Sequence, residues 1–509
     1  MSPDGQKPNE WQTKDICGCV VRLGMMDGAS TFVERVRGGV RRRFGVDTRA
    51  LAVFRVILGV VILADLTMRA RDLRVFYTDD GVLPRETLAE LFPGLASFSL
   101  HALSGALWVQ VVLLCVSTLF AVALLVGYRS RTSASISFVL LVSLYVRNPF
   151  VLNGGDTMLL VFLLLGSMLP LGARWSVDAL GRDERPSETV FSVVGAAPLV
   201  FLVVIYTSNA VLRYRGELWM SGDAVEWVFS LESVTVLLGP YLAELPVVLE
   251  AINWTWVAML TVSVLLLLLT GWLRAGLTAA FVAAHLGMAL TLRLGVFPFV
   301  VIASLVLFMP PVFWDRFEKI APYQHFVSYV PDRFVSTSRA RLVSENSRHA
   351  LRRVFSVVAV LLLATVVFWQ GAALGYVEAP GEEVGAHPEN YAWKMYSPTP
   401  PQTDGWYVVP VELASGEHVD GFRRAPVEWD APPNLADAYP TTLWDRYLTK
   451  MRHSPEAQRR AFAEYVCASA SEYYEETVRS VDIYYVEREI VLNGTGKEER
   501  VELLEHDCS

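Results

Sequence analysis

The sequence predicts an α-helical polytopic membrane protein of about nine transmembrane helices, followed by a small extracytoplasmic α+β domain at the C-terminus. Three observations predict it. The 509 residues are 53% hydrophobic and 19% charged, more apolar side chain than a single soluble core buries. The apolar residues gather into nine runs, each near the ~20 residues that cross a hydrocarbon core of about 30 Å. The charge is also divided: from Tyr376 onward there are 25 Asp and Glu against 12 Lys and Arg, and before it 27 against 32. An acidic tail therefore follows a mildly basic bundle, which argues against nucleic acid as a partner, because phosphate binding needs a basic face.

Residues 1–49 are polar and end in the basic run Arg35, Arg37, Arg41, Arg42, Arg43 and Arg49. With no cleavable leader, they are expected to form a cytoplasmic segment that leaves the first helix as an anchor. Transmembrane helices are predicted near 50–68, 106–127, 132–151, 155–172, 190–212, 252–273, 275–293, 296–313 and 354–374, making a membrane domain over 50–375. The third and fourth are joined by Asn153-Gly154-Gly155-Asp156 and the seventh and eighth by Gly295 alone. Either junction suits a broken or re-entrant helix.

The positive-inside rule sets the orientation. Alternate loops hold the N-terminal arginines, Arg129 with Arg131, Arg174 with Arg182 and Arg185, Arg274, and the arginine-rich stretch 314–353. Those loops are expected in the cytoplasm, and an odd number of crossings then places the tail, 376–509, outside a cell membrane. Arg69, Arg71 and Arg74 fall on the wrong side in this scheme, offset in part by Asp72, Asp79 and Asp80. Of the five cysteines, Cys17, Cys19, Cys115, Cys467 and Cys508, only the last two would meet an oxidising compartment, where they are expected to form a disulfide. Asn493-Gly494-Thr495 is a glycosylation sequon consistent with that side.

Within the tail, 406–413 and 418–422 flank Ala414-Ser415-Gly416-Glu417 and read as a hairpin. Ser454-Pro455 reads as the opening of a helix running to about Arg479. The β-branched and aromatic stretch 481–492 reads as a further strand.

An ionisable group at the centre of a membrane helix costs roughly 2.5–3.5 kcal/mol, so each needs a partner or a role. Arg55 and Asp65 stand in the first helix, about 80° apart around its axis, and are read as structural ion-pair residues that tie it to other helices. Asn153 and Asp156 bracket glycines that a ligand site or a tight turn would use equally well. Asn209, Arg213 and Arg215 end the fifth helix ahead of Glu217, Trp219, Asp223 and Trp227, a set that reads either as belt and snorkelling residues or as an outward-facing polar pocket. His285 is the single histidine in a predicted membrane segment, and with Arg293 two turns on it makes a polar stripe. No phosphate loop, dinucleotide fingerprint, HExxH or CxxC occurs, and the eight histidines are scattered, so no metal site is predicted.

The stretch FRVILGVVILADLTMRARDLRVFYTDDGVLPRETL, Phe54 to Leu88, resembles the start of the HTTM family, relatives of the vitamin K-dependent gamma-carboxylases. Further landmarks follow in order: Asn153-Gly154-Gly155-Asp156, Arg174-Trp175-Ser176-Val177-Asp178, Asn209 to Trp219, Ser221-Gly222-Asp223-Ala224-Val225, His285 ahead of Phe297, and Trp393-Lys394-Met395-Tyr396-Ser397-Pro398. The resemblance implies a helical bundle with an intramembrane site. The carboxylases oxidise a reduced quinone and carboxylate glutamate, using a lysine whose position here is taken by Arg213. An arginine stays protonated and does not serve as a tunable amine base. Gly154 likewise stands where those enzymes have a histidine, while His285 matches a family histidine.

Three readings follow. In the first, Asn153, Asp156, Asn209, Arg213 and His285 bind a lipid or quinone-like ligand in an outward-facing pocket, with Arg213, His285 and Asp156 the candidates for any catalytic part. In the second, the chain is a quinone-coupled carboxylase or oxygenase with a replaced base. In the third, it is a transport or scaffold protein whose polar residues serve packing.

Overall fold

A computed structural model of the protein describes residues 34–180, 187–320, 345–378, 393–492 and 496–508. Each of the nine apolar runs lies on a helix. The helices are α1 (Thr48–Arg71), α2 (Leu107–Val126), α3 (Ser130–Arg147), α4 (Gly154–Met168), α5 (Val193–Tyr214), α6 (Pro246–Thr261), α7 (Gly271–Thr291), α8 (Phe297–Val306), α9 (Pro311–Ile320) and α10 (Glu345–Ala373). Beyond Thr261, α6 continues through a 3-10 turn and a last short helix to Leu268, making one span over Pro246–Leu268.

Among the described residues, six helices are long and apolar enough to cross a bilayer: α1, α2, α5, α6 with its extension, α7 and α10. The count is seven if α8 and α9, bent by 101° at a short break, form one span. The expected nine are therefore not all confirmed, for a physical reason. At 1.5 Å per residue, the 15 residues of α4 cover only about 22 Å, and α8 has ten residues. α3 is long but carries Arg131, Arg147 and five serines.

Close approaches of small residues assemble the bundle. Gly59 on α1 faces α2 so tightly that a Cβ there would lie 2.8 Å from the Leu125 Cα. Gly127 ends α2 with φ +75°, and a side chain at that position would run into the Arg55 guanidinium and Ser176. The centre of the core is an edge-to-face aromatic row: Phe54 meets Phe162 at 6.2 Å, and Phe162 meets Phe201 at 5.4 Å.

A two-residue ladder, β1 (Val46–Asp47) with β2 (Thr189–Val190), lies just ahead of α1 and α5, and the C-terminal portion is α+β. The long strand β7 (Val478–Glu489) pairs along one edge with β8 (Glu498–Asp507) and along the other with β3 (Thr403–Val408) and β4 (Pro410–Leu413), and β5 (His418–Asp420) and β6 (Ala425–Pro426) continue the sheet beyond β4. Helices α11 (Thr442–Met451) and α12 (Glu456–Tyr474) accompany it. The β4–β5 hairpin forms as expected, with Gly416 at φ +88° in the turn. Three tail expectations are corrected. The single strand foreseen over 406–413 is broken at Val409, because Pro410 has no N–H to give the ladder. α12 stops at Tyr474, five residues short of Arg479, and Pro455 caps it from outside rather than opening it. The strand foreseen over 481–492 starts and ends three residues earlier. Cys467 on α12 and Cys508 beyond β8 form a disulfide with Cα atoms 5.9 Å apart. The sequon, Cys17 and Cys19 lie outside the described residues.

The tail rests on the end of the bundle where α1 finishes. Thr441 donates to Asp72, Tyr447 to the Val82 carbonyl and Lys450 to the Leu152 carbonyl. Trp444 and Tyr447 pack on Phe76 at 5.0 and 5.7 Å.

Candidate functional site

A cavity of about 640 Å³ opens among α5, α6, α7 and α8. One wall is a single face of α5: Leu202, Tyr206, Asn209 and Arg213 recur at spacings of four, three and four, the helical repeat. Opposite stand Trp256 of α6 and His285 of α7, with Phe297 at the start of α8. Trp393, Met395 and Tyr396 of the tail close it.

This tail segment is pinned by α5 and the turn after it. Asn209 Nδ2 donates to the Trp393 carbonyl at 2.7 Å, Arg213 Nη2 to the Met395 carbonyl at 2.9 Å, and Trp219 Nε1 to the Tyr396 carbonyl at 3.0 Å. Met395 and Tyr396 take left-handed backbone angles, φ +45° and +61°, which the three donors hold in place. Burial pushes the Tyr396 phenol up to about 12, so at neutral pH it lines the wall as a neutral group.

Arg213 is 3% exposed. Its Nη1 donates to the Asn209 carbonyl at 3.3 Å and Oδ1 at 3.0 Å, and its guanidinium carbon lies 4.2 Å from the centre of the Trp219 ring. His285 stands among aromatic rings, 5.6 Å from Trp256, 6.1 Å from Tyr206 and 6.2 Å from Phe297. Its Nδ1 lies 2.8 Å from the Phe281 carbonyl. Because a carbonyl only accepts, Nδ1 carries the proton, and in the neutral ring Nε2 keeps its lone pair. Tyr206 stacks on Phe281 at 4.8 Å, and its buried hydroxyl has no hydrogen-bond partner among the described residues.

Of the residues singled out by sequence, Asn209, Arg213 and His285 share this cavity. Asn153 and Asp156 do not line it. They form a capping box at the start of α4: Asn153 Oδ1 accepts from Gly155 N at 2.8 Å, and Asp156 Oδ2 accepts from Asn153 N at 2.7 Å. Asp156 also joins a buried chain of charge, with Arg69 Nη2 at 3.0 Å and Arg446 Nη1 at 3.1 Å, while Arg69 Nε reaches Asp65 at 2.9 Å. Asp65 also accepts from the Tyr145 hydroxyl of α3 at 3.0 Å. Asp65 pairs with Arg69 one turn along its own helix, and Arg55 donates to the Leu171 and Trp175 carbonyls beyond α4. The stripe of His285 and Arg293 is broken because α7 ends at Thr291. The Asp445 carboxyl of α11 is pushed up to about 6 by burial, with the charges of Arg293 and Arg446 opposing the shift.

Sequence reasoning passed over Tyr206, Trp256 and Arg446. Tyr206 was detectable as the residue one turn before Asn209 on the same face; Arg446 had no local signal, lying 290 residues from Asp156.

Compared with known families, the chain matches the model of the HTTM domain over residues 45–314, more than half its length. That match includes Asn209, Arg213 and His285 and leaves out the tail that closes the cavity. No curated protein and no solved structure matches.

Proposed function

The chain belongs to the HTTM domain family, and from that premise we propose that it is a multi-pass protein of the cell membrane whose cavity binds a lipid or quinone-like amphiphile. One observation carries the reading: Asn209, Arg213 and His285, the polar groups at family-matched positions, converge on one largely apolar cavity. Its volume is in the range of small-molecule sites, roughly 300–1,000 Å³. The ligand's chain would lie along the Leu202 and Trp256 walls and its head near Arg213. Binding is favoured over carboxylation because the position of the expected lysine holds a guanidinium that donates hydrogen bonds and accepts none.

In this reading the tail lies outside the membrane and the N-terminus in the cytoplasm. Arg43, Arg49, Arg174 and Arg274 support it by gathering at one end of the bundle, where Arg49 reaches Asp315 and Glu318, and Arg274 donates to the Arg43 carbonyl. The tail docks at the other end. Lipid extraction from the purified protein, followed by mass spectrometry, tests the ligand claim. A retained lipid or quinone is expected in the wild type, and most of it is lost from an Arg213→Ala/His285→Ala double variant. No retained molecule, or equal retention by both proteins, would count decisively against the proposal.

A further inference from the structure

The charge of the ligand's head can be read from what Arg213 lacks. Several buried arginines reach acids: Arg49 reaches Asp47 at 2.8 Å, Arg69 reaches Asp65 and Asp156, Arg147 reaches Asp79 at 3.7 Å, and Arg446 of the tail reaches Asp156. Arg213, which lines the cavity, reaches none among the described residues. Its partners are the Asn209 carbonyl and side-chain oxygen, the Ser397 hydroxyl at 3.5 Å, the Met395 carbonyl and the face of Trp219, all neutral. A guanidinium has five N–H donors, and the one on Nε has no acceptor among the described residues. Arg274 is likewise held by a carbonyl and an aromatic face, but it does not line the cavity.

The wall offers no compensation. No Asp, Glu or Lys lines the cavity, and Arg213 is its single permanently charged side chain among the described residues. A cation taken out of water without a counter-ion is costly, and the low dielectric that raises the cost also strengthens any ion pair formed there. A quinone or an ester presents only neutral acceptors and leaves the imbalance in place. A carboxylate or phosphate removes it and forms the stronger, charge-assisted hydrogen bonds.

Resting on the ligand-binding reading of this cavity, we infer that the natural ligand is an amphiphile with an acidic head, carboxylate or phosphate, and that Arg213 is its counter-ion.

The test measures binding of matched probes to the full-length protein in detergent by native mass spectrometry: oleate against oleyl alcohol, dioleoyl phosphatidic acid against dioleoylglycerol, and decylubiquinone as a neutral quinone. The acidic member of at least one pair is expected to bind about tenfold or more tightly than its neutral counterpart. The pair that shows the preference identifies the head as carboxylate or phosphate. Arg213→Lys should keep that preference, and Arg213→Gln should bring the two members within about twofold. Neutral probes that bind the wild type as tightly as the acids overturn the inference while leaving the amphiphile reading intact, and this comparison stands even if Arg213→Gln does not fold. Preference that survives in Arg213→Gln overturns it as well. Binding of none of the five probes ends both.

Discussion

Asp156 does two jobs because its oxygens face different partners. Oδ1 accepts from Arg69, while Oδ2 accepts from the backbone of Asn153 and from Arg446. The first tie crosses from α4 to α1 and the second from α4 to the tail. Removing one member of a buried charge network leaves the others uncompensated, at a cost of about 3–5 kcal/mol. Asp156→Ala is expected to lose that much stability, measured as thermal unfolding in detergent. Asp156→Asn keeps an acceptor for the helix cap and should lose less. Equal losses would mean that the retained cap acceptor contributes nothing beyond the charge network. Sequence reasoning flagged Asp156 but could not see its work, since Arg69 lies 87 residues away and Arg446 lies 290. The same network explains one of the three arginines that fell on the wrong side of the charge rule. Arg69 is buried and paired with two carboxylates, so it is not a loop cation at all.

At the scale of elements, the membrane helices were the most legible part, because apolar length is a local property. What the runs did not disclose was which helices are short, since ends are set by tertiary contacts and by stops such as Pro170 after α4. The β4–β5 hairpin was legible in its turn residues, whereas β8 was not. Its glutamates at 498, 499, 502 and 505 mask the strand pattern, and its place on the sheet comes from pairing with β7. Helix packing adds a sharper test. Gly59→Ala would press a methyl against the Leu125 backbone and is expected to cost about 1–3 kcal/mol by overpacking. Gly276→Ala on α7 meets nothing within 4 Å and is expected to be neutral, or stabilising by up to ~1 kcal/mol. Thermal unfolding of the two variants side by side decides this, and equal effects would contradict the close α1–α2 contact.

At the scale of the whole molecule, the cavity is made by parts far apart in sequence. The bundle supplies Arg213 and His285, and the tail supplies the Trp393–Tyr396 segment that closes over them, tied back by Asn209, Arg213 and Trp219. The order of landmarks pointed to Asn209, Arg213 and His285, because an isolated polar side chain in an apolar run stands out by itself. It could not show that Asn153 and Asp156 belong elsewhere, or that the tail reaches into the site. The central claim is that this cavity holds an amphiphile whose head pairs with Arg213. The most direct measurement is a cryo-electron microscopy map of the protein purified with its native lipids into nanodiscs. The account predicts elongated density along α5 and α7, ending at hydrogen-bonding distance, about 2.7–3.2 Å, from the Arg213 guanidinium. A cavity without such density, or Arg213 paired there with a carboxylate of the protein, would contradict it.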